Sequence, residues 1–192
     1  MTAKRWILFD TETTGLQLPS TADLKQQPAI IELALIVLEE TTTEAEHYGV
    51  KTRWMPSEYS WLINPGPQHP VSAEITRITG LKESDLIGKP SFPEILPEVV
   101  SIFIGATGLC AHNLPFDSRM LITELQRCGR EHSFPYPPEQ LCTVSAYHHL
   151  KGRNMKLTEL YQHVIGKELA QTHRALDDVR ALVEIALKED IL

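Results

Sequence analysis

Apolar positions recur with two periods along the chain, and their succession sets the expected architecture. Trp6-Ile7-Leu8-Phe9 is a compact apolar run closed by Asp10, so Arg5 to Asp10 reads as a buried strand. Thr11 to Gly15 reads as the turn after it, with Gly15 free to take a positive φ. Leu16 to Pro28 is polar and irregular, a surface loop. Ala29 to Leu38, rich in Ile and Val, is a second strand, and the Thr/Glu-rich stretch Glu39 to Glu46 reads as a hairpin turn or exposed loop. Trp61-Leu62-Ile63 forms a strand ended by the turn signal Asn64-Pro65-Gly66-Pro67. Helical spacing appears at Val71 to Ile78, with Ser72 near its start. It returns from Phe92 to Ile104 through Phe92, Ile95, Leu96, Val99, Val100 and Phe103, with a kink at Pro97 or a start near Pro93. Pro115 to Arg127 puts Phe116, Met120, Leu121 and Leu125 on one face, and Gly129 can end it. Thr107 to Ala111 and Leu141-Cys142 are short strands. Val144 to Leu150, Lys156 to Val164 and Ala175 to Lys188 are further helices. Strands alternating with helices predict an α/β fold, a sheet covered by helices.

Composition narrows the class. A chain of 192 residues favours one domain over 1–192. With 42% hydrophobic and 22% charged residues it is not a mainly disordered chain, and it needs no disulfide or structural metal as a staple. The formal net charge of −7 excludes a basic nucleic-acid coat, but not a local basic groove, nor carboxylates neutralised by a bound cation. Cys110, Cys128 and Cys142 are odd in number and lack CxxC spacing, which argues against a disulfide framework or zinc site and for a reducing, cytoplasmic setting. The apolar run at the N-terminus is too short for a signal peptide or membrane span, and Ile30 to Leu38 is too short and carries Glu32.

Three places carry candidate chemistry. Asp10 and Glu12 end the first strand. Residues i and i+2 of an extended chain point the same way, so two carboxylates converge and repel unless a hard cation such as Mg²⁺ intervenes. The bland alternative is two solvated turn acids. Asp117, in His112-Asn113-Leu114-Pro115-Phe116-Asp117, follows a short strand and begins a helix. It is either a third ligand or an acid that complements the helix dipole. In His173-Arg174-Ala175-Leu176-Asp177-Asp178, helical spacing would put His173 and Asp178 on nearly one face, with Asp177 turned to solvent. A histidine can take a proton from water, and a carboxylate beside it can hold the metal that acidifies that water.

In this order the segments resemble the DnaQ-like 3′–5′ exonucleases of the DEDDh group, in the ribonuclease-H-like superfamily, as seen in the exonuclease domain of the DNA polymerase III epsilon subunit. Phe9-Asp10-Thr11-Glu12-Thr13-Thr14-Gly15-Leu16, the Asp117 segment and the HxAxxD spacing of the third segment carry the resemblance. Ile30-Ile31-Glu32-Leu33-Ala34, Ile63-Asn64-Pro65, Ile78-Thr79-Gly80-Leu81 and Cys142-Thr143 add to it, over about Ile7 to Leu187. The resemblance implies a mixed five-stranded sheet with helices on both faces. It implies two Mg²⁺ or Mn²⁺ ions held by Asp10, Glu12, Asp117 and Asp178, with Asp10 bridging them and Asp117 holding the second largely through water. His173 would be the general base. Thr11, Thr13, Leu16, Asn113 and Phe116 would line the terminal nucleotide, with Phe116 either against it or in the core.

The implied activity is 3′–5′ hydrolysis of single-stranded or frayed DNA ends that releases nucleoside 5′-monophosphates. RNA ends and a polymerase-bound proofreading role are the alternatives. Thr79 stands where many proofreading subunits carry His. With the chain ending at Leu192 soon after the last helix, no polymerase- or clamp-binding tail is expected, which favours a free-standing enzyme. Arg119, Lys151, Arg153, Lys156 and Arg174 are candidate phosphate contacts, the run Lys151 to Lys156 being either such a contact or a solvated loop. The stretches 17–27 and 39–54 look long and could shape a groove or partner surface. The oligomeric state stays open, with homodimer and polymerase-associated forms both possible.

Overall fold

The computed structural model describes residues 3–45, 49–170 and 173–192. Five strands form one sheet: β1 (Arg5–Thr13), β2 (Ile30–Ala45), β3 (Gly49–Leu62), β4 (Gly108–Ala111) and β5 (Glu139–Cys142). The order is β3-β2-β1-β4-β5. β1 pairs antiparallel with β2 and parallel with β4, β2 pairs antiparallel with β3, and β4 pairs parallel with β5. The sheet is therefore mixed, as the resemblance implied.

Eight helices are described: α1 (Ala73–Thr79), α2 (Glu83–Leu86), α3 (Phe92–Phe103), α4 (Leu114–Arg127), α5 (Thr143–Ala146), α6 (His148–Lys151), α7 (Leu157–Ile165) and α8 (Ala175–Glu189). The period of two along β1 decides what each face meets. Ile7 and Phe9 join Leu33, Leu35 and Leu109 under α3 and α4. Trp6 and Leu8 join Ala34, Ile36 and Cys110 under α8. Helices thus cover both faces, and each buried side chain removes apolar area worth about 25 cal/mol per Å² from water. Gly108 sits opposite Trp6 in the β1–β4 register, and any Cβ there would overlap the indole.

Four expectations change. β1 continues through the expected turn to Thr13, because Thr11, Glu12 and Thr13 still pair with β2, up to a bulge between Glu12 and Thr13. β2 runs on to Ala45 and β3 begins at Gly49, so most of the stretch expected as turn or loop is paired strand. The Thr-rich composition suits a strand. Glu46, His47 and Tyr48 lie outside the described residues. The expected helix from Val144 to Leu150 is two short ones, broken at Tyr147 (φ −102, ψ 8), whose ring turns into a cluster with α7 and α8. His173 is not helical, since Arg174 is the N-cap of α8. Elsewhere Ser72 caps α1 by accepting from the Ile75 amide, and Pro97 lies inside α3. No described helix is long and apolar enough to cross a membrane, and the three cysteines are free thiols.

Candidate active site

The strand period that builds the core also aims the acids. Asp10 and Glu12 continue the face of Trp6 and Leu8, toward α8. There Asp178 projects from the first turn of α8, and one oxygen from each of Asp10, Glu12 and Asp178 lies within 4.8 Å of the others. Thr11 faces the other way, toward α4. Its amide and hydroxyl donate to Asp117 Oδ1 at 3.1 and 2.7 Å. Asp117 is 2% exposed. The four acids thus arrive from both faces of the sheet at the end of β1.

Their electrostatics follow from crowding. Burial, then the charges of Asp117, Glu12 and Asp178, hold the Asp10 carboxyl well above its ordinary range. Burial and the nearby Asp178 and Glu32 push Glu12 up to about 8. Burial raises Asp117, and its bonds from Thr11 pull the other way. Carboxylates so placed cannot all ionise together without a counter-charge. Three converging oxygens of hard donors fit a divalent cation such as Mg²⁺. The donor set therefore suits the metal that the resemblance implied.

Beside the acids lies a cleft of about 510 Å³. Thr11, Glu12, Thr13 and Leu16 form one wall, Ile75, Ile78 and Thr79 of α1 another, and Phe116 of α4 closes it. Leu16 is 81% exposed. The Thr13 hydroxyl donates to the Gly15 carbonyl at 2.8 Å, which shapes the turn after β1. Phe116 both lines the cleft and packs against the core under α4.

Several sequence candidates are placed differently. Asn113 is exposed, takes a left-handed backbone (φ 80) as the N-cap of α4, and does not line this cleft. His173 is exposed and also left-handed (φ 51), and it precedes the start of α8, so it shares no helix face with Asp178. Arg174, a candidate phosphate contact, holds Glu32 through Nε and Nη2 at 2.9 to 3.2 Å. Lys151 and Arg153 both pair with Glu159. Asp177 is ion-paired with Arg180 instead of merely solvated. His112 bridges Thr143 Oγ1 and the Met155 carbonyl, a turn-bracing role.

One residue beside the acids entered the motif reading without a role. Glu32, 1% exposed, stands opposite Glu12 in the β1–β2 register. The signal available was an acid inside the apolar run of β2, a position that burial alone disfavours.

A family model described as Exonuclease (RNase T) matches residues 7–186. The chain belongs to this exonuclease family. The exonuclease is 28% identical over 177 residues to the DNA polymerase III subunit epsilon of Treponema pallidum (strain Nichols), covering 92% of this chain and 72% of that one. It is 29% identical over 185 residues to the PolC-type DNA polymerase III of Caldanaerobacter subterraneus subsp. tengcongensis, covering 95% of this chain but only 11% of that polymerase. It therefore corresponds to a small part of such polymerases. Its fold is like that of the nuclease domain of 3′hExo, described as a DEDDh family member bound to rAMP. The TM-score is 0.68 at 16% identity, over 98% of this chain and 94% of that one.

Proposed function

We propose that residues 1–192 act as one DnaQ-like domain that removes nucleotides from the 3′ end of single-stranded or frayed DNA, releasing nucleoside 5′-monophosphates. The observation that carries this reading is the convergence of Asp10, Glu12 and Asp178 oxygens within 4.8 Å at the mouth of a nucleotide-sized cleft. Asp10, Glu12 and Asp178 would hold one Mg²⁺ or Mn²⁺ ion, and Asp10 with Asp117 a second. Bound there, the cations would make water more acidic and offset charge on the phosphate and the leaving oxygen.

The chain's own residues do the rest. His173, exposed at the bend before α8, takes the proton from the attacking water as its oxygen bonds to phosphorus. The bond from phosphorus to the 3′ oxygen of the preceding nucleotide breaks, and that oxygen is protonated from solvent. Leu16, Ile75, Ile78 and Phe116 give the terminal base an apolar cleft. Thr11 fixes Asp117 against reorientation. DNA is favoured over RNA by the polymerase relatives, and the rAMP-bound neighbour keeps RNA ends as the alternative. Kinship to an epsilon subunit supports a polymerase-bound proofreading role as a further alternative. The free thiols support a reducing, cytoplasmic setting.

Matched DNA and RNA oligonucleotides labelled at the 5′ end, incubated with Mg²⁺, test the reading. A ladder that shortens from the 3′ end on DNA supports it. A ladder on RNA alone moves the substrate to RNA, and a product released from the 5′ end sinks the proposed polarity.

A further inference from the structure

We infer that Glu32 and Arg174 form a clasp that positions His173, and that Arg174 serves the reaction through His173 instead of by touching the nucleic acid. The inference rests on the reading above, in which His173 is the general base.

Three observations carry it. First, Glu32 commits both carboxylate oxygens to one place. Oε1 accepts from Arg174 Nη2 at 2.9 Å and Nε at 3.2 Å. Oε2 accepts from Arg174 Nε at 3.0 Å and from the Ala175 amide at 3.3 Å. The Ala175 amide is one of the unpaired donors at the start of α8, and Arg174 offers no side-chain cap of its own. A carboxylate from β2 thus stands in as the cap and binds the capping residue's side chain at once.

Second, His173 comes immediately before this clasp with φ at 51, a left-handed conformation that is strained for a residue with a Cβ. Such a backbone persists only where its neighbours are held, and the neighbour on its C-terminal side is the clasped Arg174. Third, the same anchor sets the first turn of α8, from which Asp178 reaches Asp10 and Glu12. One buried carboxylate therefore registers the base against the acids.

A phosphate role for Arg174 competes poorly with this geometry. Two nitrogens of the planar fork, Nε and Nη2, are committed to Glu32, which is 1% exposed. Withdrawing it would strand a buried charge among other acids.

The test compares Arg174→Ala, Arg174→Lys and Glu32→Gln with His173→Ala, on a labelled single-stranded DNA oligonucleotide with Mg²⁺. Thermal unfolding is followed for each. Arg174→Ala is expected to lower kcat by about ten- to a hundredfold, since a small misplacement of a catalytic group costs this much. KM and its salt dependence should stay near wild type. Arg174→Lys, which keeps the charge and loses the fork, should recover part of the rate. Added to His173→Ala, Arg174→Ala should cost less than about twofold more, because residues acting as a unit are not additive.

Where Arg174→Ala does not fold, the Lys variant carries the same comparison, alone and in the His173→Ala background. A raised KM with a shallower salt dependence and unchanged kcat would overturn the inference in favour of a phosphate contact. A full multiplicative loss in the His173→Ala background would also overturn it. A wild-type protein that never shortens the oligonucleotide sinks the exonuclease reading, and the clasp's role with it, before any variant is compared.

Discussion

Thr11 holds Asp117 with two donors at once, its amide at 3.1 Å and its hydroxyl at 2.7 Å, both on Oδ1. The bond ties the odd face of β1 to α4, while the even face carries Asp10 and Glu12 toward α8. Thr11→Val keeps the shape and the amide and removes only the hydroxyl. A hydrogen bond to a charged group contributes about 1.5–3 kcal/mol. The variant is therefore expected to lose stability of that order in urea unfolding at pH 8. Equal midpoints for variant and wild type would show that the hydroxyl contributes nothing.

Charge crowding gives a prediction of opposite sign. Asp10 sits among Asp117, Glu12, Asp178 and Glu32, each of which raises its pKa. Asp10→Asn removes one charge of this group and keeps the shape. Without divalent ions the variant should be more stable than wild type at neutral pH, by about 1 kcal/mol or more. It should be inactive and should gain little from Mg²⁺. Asp178→Asn should likewise be inactive. A variant that loses metal-free stability, or keeps near-normal hydrolysis, would contradict the assignment of these acids as ligands.

The same crowding sets a pH dependence. Unfolded, Glu12 titrates near 4.5, and in the folded, metal-free protein it is pushed up to about 8. The folded state then binds the proton more tightly. Its contribution is complete below about 4.5 and is lost as pH rises through 8, with a slope of at most about 1.4 kcal/mol per pH unit. His69 and His112 are shifted down by burial, so their contribution runs the other way and is complete above 6.5. Between pH 7 and 8.5 the acids therefore decide the sign. Metal-free protein should lose stability across this window, and saturating Mg²⁺ should flatten the loss by replacing the proton. Denaturant titrations with Mg²⁺ and with a chelator measure it, and parallel curves would refute the linkage.

How much of this was legible beforehand follows from which signals are local. The alternation of Trp6, Ile7, Leu8 and Phe9 continues through Asp10, Thr11 and Glu12, so the aim of both acids could be read from one strand. That β1 would run on to Thr13 could not, because its hydrogen bonds come from β2, distant in sequence. Pairing hid the long hairpin in the same way: a Thr-rich, polar stretch reads as loop until a partner supplies the ladder. His173 and Asp178 have helical spacing, but the clasp on Arg174 starts the helix after the histidine. Glu32 was visible as an acid in an apolar strand. Its meaning depended on a register partner, Glu12, and on a cation 142 residues away, neither of which a local reading supplies.

The pairing of the basic residues leads to the last prediction. Of the five candidate phosphate contacts, Arg174 is clasped by Glu32, and Lys151 and Arg153 share Glu159 at 3.1 and 2.6 Å. The Lys156 amide also donates to Glu159, so the most basic run of the sequence is folded around its own counter-ion. Arg119 differs. It is exposed on α4, half a turn past Asp117, and lines a second cleft with Pro115 and Ser118. Arg119→Ala is expected to weaken binding of single-stranded DNA and to reduce the slope of log K against log salt by about 0.7, the value for one phosphate contact on a single strand. Arg153→Ala should leave that slope unchanged, because its charge is already answered within the protein. Fluorescence anisotropy of a labelled oligonucleotide over a salt series, in Ca²⁺ to suppress hydrolysis, separates the two. A slope that falls for Arg153→Ala and not for Arg119→Ala would move the path of the strand to the other side of the site.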